Sequence, residues 1–312
     1  TIGESISRNN NMKNSTNEEM TLISPADMIS WIESLDEETT SSVSSEPSSP
    51  LSSGTILSDN RTWTMVIDAL CRSGEECAEI AQWLLDRRLD LARAYDDDDG
   101  NDDGYDDHND KDSQAHERLR PDTVFITNVI RAWAKSGRTD IAPEMAEGLL
   151  SMMYDLQDFG WKDSSPNAHT YAVVMESWAV SDRPDRCDRI VALLEEMKTR
   201  HDVEPDRVCY QYALNCWARS GTKSHRNVEN AHELLQEMIS LYCHAGIVNV
   251  APNQSNFSTV MMAAARTGDA DRVETLFEQM EDLCRTTGQK IFRPTVECKN
   301  ALLLAKAKSG AV

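Results

Sequence analysis

The sequence lacks long hydrophobic runs and is short of aromatic residues and of positive charge. No apolar stretch approaches the roughly 20 residues that a membrane-spanning helix needs, so we predict no membrane partner. Aromatic residues make up only 6% of the 312 residues, although hydrophobic residues reach 40%, which is enough for a folded protein. The chain carries 31 Lys and Arg against 53 Asp and Glu, a formal net charge of −22. Such an excess of acid opposes binding to a polyanion.

Recognisable catalytic and metal-binding motifs are also missing. The sequence contains no P-loop, no G-x-G-x-x-G, no H-E-x-x-H and no Ser/His/Asp arrangement, and its carboxylates are scattered. His225 and His232 are too far apart in helical register for a metal pair. The eight cysteines form no C-x-x-C, which favours reduced packing residues in a reducing compartment. We therefore predict no catalytic residue, no metal and no cofactor.

Two segments hold most of the excess acid. Residues 1–60 carry ten acids and two bases and include the low-complexity stretch TTSSVSSEPSSPLSSG. This composition predicts disorder over residues 1–59. Residues 96–112 carry ten aspartates and one lysine and are predicted to form an acidic loop insertion. Outside these segments 33 acids face 28 bases, so local patches decide what the protein binds.

The acidic loop leaves calcium binding open. A set of its residues has the spacing of EF-hand ligands: Asp99, Asn101, Asp103, Gly104 and Asp110. However, Asp106 occupies the place of the apolar residue that such a loop normally has. A run so rich in aspartate also suits a solvated, self-repelling insertion.

A fixed spacing recurs along the rest of the chain. Five prolines are each followed, sixteen residues later, by a glycine or, once, an aspartate. The prolines are Pro121, Pro166, Pro205, Pro252 and Pro294, and the later residues are Gly137, Asp182, Gly221, Gly268 and Gly310. If each unit starts two residues after its proline, the units begin at Asn60 (without a proline), Thr123, Ala168, Arg207, Gln254 and Val296. Constant units with joints of variable length are typical of helical solenoids.

The apolar residues of each unit predict two helices. Unit positions 4, 7, 8 and 11, counted from the first residue of the unit, are apolar almost throughout and form one helical stripe, such as Ile126, Val129, Ile130 and Trp133. A second stripe follows in most units, and position 12 is always small. The prolines suit helix starts and the glycines suit helix ends. We therefore predict an all-α solenoid of stacked helical hairpins. The tryptophans at position 11 are expected in the core: Trp133, Trp178 and Trp217.

These units resemble pentatricopeptide repeats. The resemblance rests on the stretches RTWTMVIDALCRSG, RPDTVFITNVIRAWAKSG, EPDRVCYQYALNCWARSG and APNQSNFSTVMMAAARTG. It covers residues 60–312, as five full units and a half unit from residue 296. The prolines lie 45, 39, 47 and 42 residues apart, whereas the family's usual unit has about 35 residues. The surplus falls mainly after the first helix of each unit.

The resemblance implies binding of single-stranded RNA, one base per unit. In the family, position 5 and the residue that closes the unit, directly after the proline, together read a base. Position 5 holds Thr64, Thr127, Ala172, Gln211, Ser258 and Asn300. The closing residues are Asp122, Asn167, Asp206, Asn253 and Thr295. Thr64 with Asp122 resembles a guanine reader and Thr127 with Asn167 an adenine reader, whereas the other pairs predict loose recognition or none. The closing residues also suit helix N-caps, which need no ligand.

Position 13 is basic in five of the six units. These residues are Arg72, Lys135, Arg219, Arg266 and Lys308, and Val180 is the exception. Stacked units would place the bases in a row that contacts RNA phosphates. The same residues also suit helix C-termini, where positive charge favours the helix dipole. The sequence leaves both interpretations open.

Three functions remain in competition. The leading one is an RNA-binding repeat protein that covers or remodels organelle transcripts, which the resemblance places in a mitochondrion or plastid. The visible N-terminal stretch is acidic, unlike an Arg-rich transit peptide. The second is a protein-binding scaffold, which the acidic balance favours. The third is the RNA-binding part of a longer enzyme, because some relatives carry a catalytic domain after their repeats.

Overall fold

The computed structural model describes residues 64, 65, 67, 77–98, 120–200, 203–219 and 225–310. All of them belong to the second of the two units into which the chain divides, Gly54–Val312. The segment 1–59, the calcium-like spacing of the acidic insertion, and Arg72 lie outside the described residues.

The described residues form ten α-helices and no strand. In chain order the helices are α1 (Cys77–Asp98), α2 (Thr123–Lys135), α3 (Ala142–Asp158), α4 (Ala168–Val180), α5 (Arg186–Thr199), α6 (Arg207–Arg219), α7 (His225–Cys243), α8 (Gln254–Thr267), α9 (Ala270–Thr287) and α10 (Val296–Ser309). Short 3-10 turns occupy Lys162–Ser164, Val248–Val250 and Lys290–Phe292. None of the described helices combines the length and the apolar character that a bilayer crossing demands.

The helices pair as hairpins that stack on one another. The hairpins are α2 with α3, α4 with α5, α6 with α7, and α8 with α9. Each first helix packs against its own second helix, against the second helix of the preceding unit and against the neighbouring first helices. The predicted α-solenoid of helical hairpins is therefore confirmed.

The predicted apolar stripes form the core between the helices. On α2 the side chains of Ile126, Val129 and Ile130 are fully buried. On α3 Ala146 and Met153 are fully buried as well. Burying one large aliphatic side chain stabilises a fold by about 1.5–3 kcal/mol, so these stripes are the main source of stability. The position-11 tryptophans behave as expected in two units, since Trp133 and Trp178 are buried, while Trp217 is half-buried.

The prediction that each proline begins a helix is wrong by two residues. The first helices start two residues after the prolines, and the residue between is the N-cap, as Asp122 is for α2. Its backbone is extended, with φ −85° and ψ 171°. Its side chain accepts a hydrogen bond from a backbone N–H of the first turn, which a proline side chain cannot do. The glycines end helices as predicted where they are described, because Gly268 and Gly310 adopt left-handed C-caps with φ 84° and 73°.

The extra length of the units is folded rather than loose. The segments before three of the closing prolines contain the 3-10 turns. These segments bury apolar side chains against the hairpins, among them Trp161, Val250 and Phe292, which are at most 3% exposed. Long units are accommodated because their surplus residues add to the core.

The expectation that all cysteines are reduced is wrong for one pair. Cys187, at the start of α5, forms a disulfide with Cys216 near the end of α6, and their Cα atoms lie 5.4 Å apart. The two residues come from neighbouring units and are 29 positions apart, so no local sequence spacing indicates the pairing. Four other cysteines of the described residues form no disulfide: Cys209, Cys243, Cys284 and Cys298.

Candidate nucleic-acid interface

The five closing residues all cap first helices. Each accepts a hydrogen bond from the backbone N–H three residues later, which satisfies one of the unpaired donors of the first turn. The acceptor-to-nitrogen distances are 2.7 Å for Asp122, 3.0 Å for Asn167, 3.0 Å for Asp206, 3.0 Å for Asn253 and 3.4 Å for Thr295. The side-chain oxygen that caps the helix is therefore already used in this hydrogen bond. An asparagine that caps a helix still has its amide N–H groups as donors for another partner, whereas an aspartate still has its second carboxylate oxygen as an acceptor.

The position-5 residues differ in their exposure. Thr127 is 3% exposed, Ala172 4% and Ser258 9%. Gln211 and Thr64 are half-buried, and Asn300 is exposed. In three units, position 5 is thus buried between adjacent first helices, with little of its side chain accessible.

Two position-5 side chains are bonded to the next unit. The hydroxyl oxygen of Thr127 lies 2.9 Å from that of Thr170. In the same way, the amide of Asn256 donates to Gln211 Oε1 at 2.7 Å. Gln211 also donates through Nε2 to Asn215 Oδ1 at 3.0 Å. The structure therefore links each of these residues, through position 3 of the following unit, to the residue that closes its own unit: to the side chain of Asn167 and to the backbone N–H of Asn253.

The position-13 bases of the described units lie on the surface. Lys135, Arg219, Arg266 and Lys308 are all exposed. Two of them also stabilise helix ends, because Lys308 Nζ donates to the carbonyl of Arg266 at 2.9 Å and Arg266 donates to the carbonyl of Ala218. Arg266 and Lys308 thus contact helix ends, and their side chains are still exposed.

The bases of the second helices are used differently. Three of them pair with carboxylates of neighbouring units: Arg189 with Glu147, Arg272 with Glu229 at 2.9 Å, and Lys198 with Glu237 at 2.7 Å. No ion pair among the described residues engages a position-13 base. Within the described part of the chain, no carboxylate therefore neutralises these four bases by direct contact.

A family model of the pentatricopeptide repeat matches residues 61–76 and 255–284. The chain is therefore similar to the pentatricopeptide repeat over these two stretches. No curated protein sequence matches this chain.

Solved structures of the family are distant from this chain. The pentatricopeptide repeat domain of Arabidopsis thaliana protein-only RNase P 1, in complex with tRNA, has 14% identity and a TM-score of 0.41, over 78% of this chain and 97% of that one. The pentatricopeptide repeat protein PPR10 from maize has 15% identity and a TM-score of 0.38, over 99% of this chain and 44% of that one. PPR10 in complex with an 18-nt psaJ RNA element has 18% identity and a TM-score of 0.31, over 81% and 47%. The chain therefore spans less than half the length of PPR10.

Position 2 of the pentatricopeptide units is a surface feature that the sequence reasoning missed. Val124 and Val208 are 56% and 46% exposed, and each lies two residues after a helix cap. His169, Ser255 and Glu297 occupy the same position in the other described units and are also exposed. The signal available in the sequence was a valine recurring outside the buried stripe.

Arg131 is a second residue that the sequence reasoning missed. Its guanidinium donates to Asn128 Oδ1 at 2.7 Å and lies 2.6 Å from Nε2 of His169. Arg131 is four residues after Thr127, so it shares the face of α2 that carries position 5. It adds positive charge beside the first-helix row.

The longer loops of the repeats shape the edge at which the caps lie. A cleft of 520 Å³ opens beside Asp206 and Val208. Its walls include Tyr242, Val248 and Ile291, which come from the ends of the fourth and fifth units. The cleft gives this edge an apolar wall next to a capping carboxylate.

Proposed function

We propose that this pentatricopeptide array binds single-stranded RNA along its first helices. The observation that carries the proposal is the contrast between the two kinds of helix. Three bases on the second helices, Arg189, Lys198 and Arg272, are paired with carboxylates of adjacent units. Lys135, Arg219, Arg266 and Lys308 are exposed and outside any ion pair of the described residues. Unpaired bases at a regular spacing suit the phosphates of a nucleic-acid strand, which supply most of such affinity.

Base choice is proposed to come from position 5 and the closing residues. Single-stranded RNA exposes the Watson–Crick edges of its bases, which proteins read by hydrogen bonding. The free carboxylate oxygen of Asp122 suits the N–H donors of guanine, as expected for its pair with Thr64. The remaining amide of Asn167 suits a ring nitrogen acceptor of adenine. The exposed valines at position 2 offer apolar contact to base faces.

The proposed action is steric. An array that covers a stretch of RNA protects it, remodels its folding or delivers it to other factors, and no catalytic step is assigned to the described residues. By analogy with the family, we place this role in RNA processing, stability or translation in a mitochondrion or plastid. An enzyme activity would have to come from another domain. A protein-binding scaffold is the competing function, and the experiment below separates the two.

The test removes position-13 charge where the side chain makes no hydrogen bond within the described residues. Lys135→Gln with Arg219→Gln is expected to weaken binding to RNA of any sequence. It should also reduce the slope of log affinity against log salt by about 0.7 for each lost phosphate contact. Binding of a labelled random-sequence RNA is measured by fluorescence anisotropy between about 50 and 200 mM salt.

The matched control removes two bases from the second helices. Arg226→Gln with Arg285→Gln changes net charge equally but lies on α7 and α9, and both residues are exposed. We expect the control to keep the wild-type salt slope. Equal losses in both double variants would mean that only net charge matters and would contradict a row on the first helices. Absence of RNA binding in the wild type would favour the scaffold.

A further inference from the structure

Three oxygen atoms at the boundary between the second and third units form a connected chain. Thr127 Oγ1 lies 2.9 Å from Thr170 Oγ1. Thr170 Oγ1 in turn donates to Asn167 Oδ1 at 3.2 Å and accepts from the backbone N–H of Asn167 at 3.3 Å. Asn167 Oδ1 also accepts from the backbone N–H of Thr170 at 3.0 Å. The chain is buried at its centre, since Thr170 is 0% and Thr127 3% exposed.

The positions of the hydrogen atoms follow from these contacts. The oxygen of Asn167 faces the backbone donor, so it can only accept. A hydroxyl has one hydrogen, and Thr170 must direct it to Asn167, because otherwise two lone-pair oxygens would face each other at 3.2 Å. Thr170 is then the acceptor of the bond from Thr127. Thr127 has therefore used its only hydrogen and presents only lone pairs to a ligand.

We infer that Thr170 is a positioning residue for base choice: through this bond it makes Thr127 an obligate acceptor. The inference rests on the proposed RNA-binding function. With Thr127 as acceptor and the amide of Asn167 as donor, the pair fits a base edge with an amino group beside an unprotonated ring nitrogen. Adenine and cytosine have this edge. Guanine and uracil place a carbonyl and a ring N–H there, so both contacts would be repulsive.

Position 3 is Thr170 or Asn256 at the two unit boundaries where it is bonded to the preceding position-5 residue, whereas Phe125 follows Thr64 and Cys298 follows Ser258. Where position 3 is Asn256, the preceding position-5 residue is Gln211, and the two are bonded at 2.7 Å. Where position 3 is Cys209, the preceding position-5 residue is Ala172, and the thiol donates instead to the carbonyl of Ala168. A polar position 3 thus accompanies a polar position 5 at both boundaries where the two are bonded.

The experiment is selection of RNA from a randomised single-stranded pool by the full chain, followed by sequencing. For the wild type we expect one motif position at which adenine and cytosine outnumber guanine and uracil at least about fivefold. Thr170→Val frees the hydroxyl hydrogen of Thr127 to donate, so the preference at that position should fall to about parity. The other motif positions should keep their preferences.

Three further variants separate positioning from loss of structure. Thr170→Ser keeps the hydroxyl and should restore the wild-type profile. Thr170→Ala removes the same hydroxyl with little added bulk and carries the test if the valine variant does not fold. Asp269→Ala removes an N-cap of α9, whose side chain accepts from Arg272 N at 3.1 Å. It should leave the base profile unchanged.

The outcomes distinguish the inference from the function on which it rests. An unchanged profile in the folded valine or alanine variant would overturn the role of Thr170, as would a serine variant that behaves like valine. A wild-type chain that enriches no motif would overturn base reading itself, and with it this inference.

Discussion

Among single residues, buried tyrosines at position 4 connect the two helices of a unit. Tyr171 donates to Glu196 Oε1 at 2.9 Å, and Tyr210 donates to Glu237 Oε1 at 2.8 Å. Each of these glutamates also meets a base, Arg200 or Lys198. A buried hydroxyl bonded to a charged acceptor contributes more than an average hydrogen bond, about 1.5–3 kcal/mol. The tyrosine hydroxyl groups at position 4 are therefore compatible with a stable hairpin, although this position belongs to the apolar stripe.

These contacts predict how the protein responds to alkaline pH. Burial, followed by hydrogen bonds to Tyr154 and Glu196, raises the pKa of Tyr171, and burial with the bond to Glu237 raises that of Tyr210. Burial together with the nearby Glu176 raises the pKa of Tyr212 to about 12. Because the folded state favours the neutral phenols, their stabilisation is complete below pH 10, the usual tyrosine pKa, and is lost as the pH rises further.

The measurement is the ultraviolet absorbance of phenolate during a pH titration. In the native protein we expect Tyr171, Tyr210 and Tyr212 to remain protonated above pH 10, the usual tyrosine pKa. In urea all of them should ionise together. Native and unfolded titration curves that coincide would contradict the buried contacts.

Among the helices, neighbouring units are joined by polar contacts as well as by the core. Lys308 and Arg266 each donate to the end of the preceding first helix, at the carbonyls of Arg266 and Ala218. These contacts satisfy carbonyls that a helix end leaves unpaired. The disulfide between Cys187 and Cys216 joins α5 to α6 covalently.

The disulfide predicts a local effect of reductant. In the chain-entropy account, a cross-link that closes a loop of 29 residues stabilises the fold by about 3–4 kcal/mol. Repeat arrays do not unfold as one unit, so the effect should concentrate at α5 and α6. We expect reductant to speed hydrogen exchange there in the wild type and in the control Cys284→Ser, but not in Cys216→Ser. Exchange in the wild type that reductant leaves unchanged would contradict a disulfide.

The apolar periodicity was sufficient to predict the hairpins, because a buried helix face must repeat with the helical period. The predicted first residues of the described units coincide with the helix starts, although each proline lies two residues earlier and the residue between them supplies the capping acceptor. The small residue at position 12 does not lie at one depth: Ala265 is fully buried, whereas Ala179 and Ala307 are more exposed than Ser177 and Ala305 at position 10. An apolar stripe shows which face of a helix is buried, but it does not determine the angle at which two helices cross.

The candidate site was only partly predictable. The closing residues and position 13 could be found because each recurs at one place in the unit. The link between Thr127 and Thr170 could not, because the two residues are 43 positions apart and meet only when units stack. The disulfide between Cys187 and Cys216 was missed for the same reason.

For the whole molecule, the net charge of −22 does not describe the local charge on the surface of the first helices. Much of the acid lies in residues 1–60 and 96–112, and carboxylates of the second helices neutralise bases of adjacent units. The position-13 bases remain on the first helices. An acidic protein can therefore bind a polyanion through one local row of charge.

The measurement that tests this account most directly is retention of a randomised single-stranded RNA pool by the full chain at low and high salt. The account predicts a retained motif with guanine for the pair Thr64 with Asp122, next to a position for the pair Thr127 with Asn167 that takes adenine, or cytosine with the same base edge, rather than guanine or uracil. Retention should weaken as salt rises, because phosphate contacts release counterions. No retention even at low salt would contradict RNA binding and would favour the protein scaffold.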